Sequence, residues 1–145
     1  RSSAASDVYK RQIMVRTNLG DACKKAITGA WYEAMVAMSS GSDNSIEIMA
    51  EMAGGSLEEF KAQLETTSMF YGASQAAAFA ASEDIKQTMD YVRQFSFSHG
   101  LFGAGASSPD FVGIEFPDGS VMGDGGNIKL RFDDRYMKMA AEGEL

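Results

Sequence analysis

Four residue types are nearly missing from this chain: it has one cysteine, one histidine, one tryptophan and two prolines. A lone Cys23 excludes a disulfide framework within the chain and a cysteine-based metal site. Its place on a helical pattern predicts a buried thiol. A lone His99 has no partner spacing for a nucleophilic triad or a metal pair, and its place at a helix end predicts a cap on the negative end of the helix dipole. The Gly-x-Ser-x-Gly elbow of serine hydrolases is absent. Gly103-Ala104-Gly105 and Gly123-Asp124-Gly125-Gly126 lack the Lys-Ser/Thr of a phosphate loop and the dinucleotide spacing, so both read as flexible tail. Asp118, Asp124 and Asp133 do not follow the calcium-loop spacing. Glu47, Glu51, Glu58 and Glu59 read as a solvated face. No apolar run approaches the roughly 18 residues that span a bilayer. No cofactor, no metal and no catalytic residue is expected.

Apolar residues make up 45% of the 145, enough for a core of about one domain. Ten methionines point to a helical core with loose shape requirements. The opening RSSAASDVYKRQ resembles an adapter-derived or disordered polar tail, so residues 1–12 are set apart from fold reasoning and residues 13–145 are taken as the folding part. This reading also places the natural start further upstream. Without that segment the chain keeps 10 basic and 19 acidic residues, a balance of −9. Such a surface disfavours nucleic acid and anionic membranes, because phosphate binding depends on Lys and Arg.

The best-marked stretch runs from Ser82 to Gly105. Ser82 is a natural N-cap, and Glu83 and Asp84 put negative charge in the first turn. Ile85, Met89, Val92 and Phe95 or Ser96 recur at helical spacing, while Lys86, Gln87, Asp90, Arg93 and Gln94 fall mostly on the other face. Gly100 supplies a left-handed stop, with Leu101 and Phe102 expected to fold back as an apolar clasp. The upstream helices are expected to pack on this stripe and the downstream tail to wrap the resulting body.

Along the chain, Ile13 to Val15 reads as a short strand leading into a turn. Asp21 to Met38 reads as a helix with Ile27, Trp31, Ala34, Met35 and Met38 as its apolar face. Ser39 to Ser42 breaks it. Asp43 to Ala53 is a second helix with Ile46, Met49, Ala50 and Ala53 aligned, ended by Gly54 and Gly55. Ser56-Leu57-Glu58-Glu59 matches a capping box that starts a helix carrying Phe60 and Leu64. Thr66 to Gly72 is irregular, and Ser74 to Ala81 is a short Ala-rich helix anchored by Phe79. After Gly105, Phe111 to Phe116 has period two, Pro117-Asp118-Gly119 is a turn and Ile128 to Phe132 alternates as an edge strand. Asp133 or Asp134 caps a final helix with Tyr136, Met137 and Ala140 inward.

With no reactive constellation, the residues point to binding, which needs aromatics and a few placed polar groups. Two places offer that mixture. One is Arg16-Thr17-Asn18, at the end of the first expected strand, where open α/β sheets hold ligands. The other is Thr67 with Phe70-Tyr71. The candidate ligand contacts are therefore Thr17, Asn18, Phe70 and Tyr71.

The run MDYVRQFSFSHGLFGAGASSPDFVGIEFPDGSVMGDGGNIKLRFDDRYMKMAAEGEL resembles the C-terminal end of substrate-binding proteins of the nitrate/sulfonate/taurine class of ABC importers. VRTNLGDACKKAITGAWYEAMVAMS is similar to the helix these proteins place after their last crossover strand, and the nearest branch is the one related to urea carboxylase. The resemblance extends over about residues 13–145 and rests on the tail more than on Ile46 to Ala81. It implies a helix-rich α/β chain, the C-terminal portion of a two-lobed type II periplasmic binding fold. It implies a periplasmic, non-catalytic monomer that captures a small solute and delivers it to membrane permease subunits. A chain holding only this portion would have an incomplete ligand cleft. Two other readings stand beside it. One is an enzyme of the same fold family tied to thiamine-pyrimidine synthesis, for which His99 is the candidate; the other is a free-standing helical interaction module.

Overall fold

The computed structural model describes residues 13–41 and 43–145. The opening tail 1–12, and Ser42 of the expected break after the first helix, lie outside the described residues. The chain is mixed α/β and helix-rich, as its patterning predicts. Helices α1 (Asp21–Ser39), α2 (Asp43–Met52), α3 (Leu57–Glu65), α4 (Ala73–Ala80) and α5 (Glu83–Ser98) come first. A 3-10 turn (Pro109–Phe111), strands β1 (Gly113–Glu115), β2 (Val121–Met122) and β3 (Ile128–Arg131), and helix α6 (Arg135–Glu142) follow. The described residues form two compact units, one from 13–20 and 78–134, the other from 21–77 and 135–145.

The first unit is built on α5. The Ser82 hydroxyl accepts the Ile85 backbone N–H, and Glu83 and Asp84 occupy the first turn, so the helix starts where its side chains favour it. Its end is a Schellman motif: the Gly100 N–H donates to the Phe97 carbonyl and the Leu101 N–H to that of Ser96, with Gly100 at φ 68°. Of the expected clasp, Leu101 does not fold back, being 68% exposed, while Phe102 is half-buried.

The apolar stripe of α5 meets the sheet that follows it in sequence. Ile85, 1% exposed, and Met89 share one buried cluster with Ile114 and Phe116, and Phe79, Met122, Leu130 and Phe132 pack around them. This corrects in part the expectation that the upstream helices bury the stripe: of those helices only Phe79 of α4 is among the residues packed on the cluster, and the rest come from downstream. The downstream strands, through Ile114, Phe116, Leu130 and Phe132, present the complementary apolar face. The sheet has the order β2-β1-β3. β1 pairs antiparallel with β2 (Ile114 with Met122) and parallel with β3 (Ile114 with Leu130). Phe116 and Phe132 stack nearly parallel, with centroids 5.6 Å apart.

Polar residues flanking the stripe fasten α5 to the sheet loops. Lys86 Nζ donates to Glu83 at 3.0 Å and to Asp118 at 2.8 Å, and lies 5.7 Å from the Phe116 ring centroid. Arg93 bridges Asp90, at 2.8 Å, and Asp110.

The glycine-rich segment after β2 is not a flexible tail. The Asp124 N–H donates to the Asp110 carbonyl, the Asn127 side-chain amide to that of Phe111, and the Gly113 N–H to that of Asn127. Those bonds draw two backbones together so tightly that side chains have no room. A Cβ on Gly113 would lie 2.2 Å from the Asp124 carbonyl oxygen, and one on Gly123 equally close to that of Val112. Gly123 also adopts φ 82°.

The second unit has its own core. Ile46, Ala50 and Phe60 are buried together, with Met49, Leu57 and Leu64 against them, so α2 packs on α3. The capping box forms as its sequence predicts. The Ser56 hydroxyl accepts the Glu59 N–H, and Glu59 Oε2 accepts the Ser56 N–H at 3.0 Å. The Ser56 N–H and, at 2.8 Å, the Ser56 hydroxyl both donate to Glu59 Oε2 and lower that carboxyl. On α1, Met35 and Met38 are buried but Ile27 and Ala34 are exposed, so its apolar face is narrower than its sequence suggests. Cys23 is exposed in the first turns of α1, against the expectation of a buried thiol. No described helix is long and apolar enough to cross a membrane.

Ile85→Ala should cost about 3 kcal/mol in urea denaturation followed by circular dichroism, by loss of buried methyls and a residual cavity. Tyr91→Ala, on the exposed side of the same helix, should stay within about 0.5 kcal/mol. Ser56→Ala should cost about 1 kcal/mol by removing the cap of α3.

Candidate functional site

Thr17 and Asn18 sit side by side in a turn closed by the Leu19 N–H on the Arg16 carbonyl, at 3.0 Å. Both are exposed. The segment leading to them is not a strand. Residues 13–15 form no ladder among the described residues, and Ile13, Met14 and Val15 are all exposed, Met14 by 73%. An apolar run pairs as a strand only where a partner edge is present, and it is paired with none among the described residues. The turn precedes α1, which begins at Asp21.

Phe70 and Tyr71 lie half-buried in the irregular segment between α3 and α4. Thr67, grouped with them by sequence, spends its hydroxyl on the Gln63 carbonyl at 2.7 Å and so closes the end of α3. The two candidate pairs belong to different compact units, and each stands as a separate candidate.

Sequence reasoning missed a surface groove of about 360 Å³ in the second unit. Gly29, Tyr32, Glu33 and Val36 of α1 line one wall, and Ala140 of α6 and Leu145 the other. Gly29, Tyr32 and Val36 recur at helical spacing, a signal overshadowed by the bulkier stripe through Met35 and Met38. Half-burial pushes the Tyr32 phenol up, which keeps it a neutral hydroxyl. None of Thr17, Asn18, Phe70 and Tyr71 lines this groove. Its walls can shelter an apolar group, with the Glu33 carboxylate as the charged lining residue.

The remaining polar clusters fasten the structure. Asp118 is held far below the usual carboxylate range by Lys86 and by the Ser120 hydroxyl and backbone N–H. Near α1, the Tyr136 hydroxyl donates to Asp21 Oδ1 at 2.6 Å and lowers that carboxyl, with Lys25 adding to the effect. His99 caps α5 as its position predicts. Its Nδ1 lies 2.9 Å from the Phe95 carbonyl, which can only accept, so Nδ1 carries the proton. The imidazole stacks on Phe95 with centroids 3.9 Å apart. Among the described residues, no group of three or more His, Cys, Asp or Glu side chains is placed to hold a metal ion.

No protein-family model, no curated protein and no solved structure matches the chain.

The Asp21 bond makes a pH prediction. Its carboxyl is lowered in the folded chain, so the Tyr136 bond stabilises fully above the ordinary value of 3.8 and fades as pH falls through the folded value. Tyr136→Phe should therefore lower the urea midpoint at neutral pH. The gap between variant and parent should narrow as pH falls toward about 3. A gap of constant size across that range would assign the loss to packing alone.

Proposed function

We propose that the chain is part of a solute-binding component of an ABC importer of the nitrate/sulfonate/taurine class. In this reading it works in the periplasm without catalysis and hands a small polar, nitrogen- or sulfur-containing solute to membrane permease subunits. The observation that carries the proposal is the resemblance of residues 89–145 to the C-terminal end of such proteins. Two features of the fold support it. The resembling run folds as a helix, a small mixed sheet and a final helix, compatible with a partial α/β fold. Ile13, Met14 and Val15 are apolar and exposed, as the residues of a strand from a larger sheet would be. In that larger sheet, Thr17 and Asn18 would stand at the strand's C-terminal end, where α/β folds hold their ligands. Phe70 and Tyr71 are the proposed aromatic contacts.

The test is a melting-shift panel on the full-length protein with nitrate, alkyl sulfonates, urea, guanidinium and pyrimidines. A true solute at a hundredfold excess over its Kd should add about 2.7 kcal/mol of stability. Asn18→Ala or Tyr71→Ala should cut that shift without changing the melting temperature of the unliganded protein by more than a few degrees. A panel in which no compound raises the melting temperature contradicts the assignment. A shift that both variants retain in full moves the site elsewhere.

A further inference from the structure

We draw no further inference here: the strongest candidate, the open apolar groove between α1 and α6 lined by Tyr32, Val36, Ala140 and Leu145, is a helix face for which nothing in the structure shows what covers it.

Discussion

The contact of Ile85 and Met89 with Ile114 and Phe116 makes the first unit possible. Strands of three, two and four residues cannot hold a sheet together by hydrogen bonds alone. They need an apolar face to lie against, and α5 supplies it. The helix needs the sheet equally, because its stripe would otherwise face water. Once that face is closed, the ion pairs of Lys86 and Arg93 act at its rim, where they fix which loops sit beside the helix more than they add stability. The tight approach of Gly113 and Gly123 to neighbouring carbonyls follows from the same closure, since β3 must reach β1 across a connection folded back through β2.

Local signals in the sequence were strong wherever one short segment decides its own structure. Ser82 with its acidic first turn, the Ser56–Glu59 box and the glycines after α2 and α5 each satisfy orphan backbone groups within a few residues, and the helices begin and end there. Tertiary choices were harder to read. The stripe of α5 does not state its partner, and the downstream strands supply most of it, with Phe79 of α4 the upstream contribution. Nor do glycines state whether they loosen a chain or let two backbones touch. Here Gly123 does the second, which depends on a hydrogen bond to Asp110 far away in sequence. Ile13 to Val15 has the composition of a strand but pairs with nothing described, because strand formation belongs to a pair and not to a segment.

The candidate sites were legible to a smaller extent. Thr17 and Asn18 do share a turn ahead of a helix, as their spacing suggested, whereas Phe70 and Tyr71 sit in a separate unit. The groove on α1 was hidden because its lining mixes Gly29, Tyr32, Glu33 and Val36 and becomes a groove only with Ala140 and Leu145 alongside. A shallow apolar wall with one carboxylate carries no reactive pair, and a binding role for the whole therefore rests on the resemblance of the tail.

Native-state hydrogen exchange along the chain probes the α5–sheet closure most directly. If the helix and sheet stabilise each other, the backbone amides from Ile85 to Phe95 and those of Ile114 and Phe116 should open together with one free energy, and Ile85→Ala should lower both by the same amount. Strand amides that exchange freely while α5 stays protected, or an Ile85→Ala variant that loosens the helix and leaves the sheet unchanged, would contradict it.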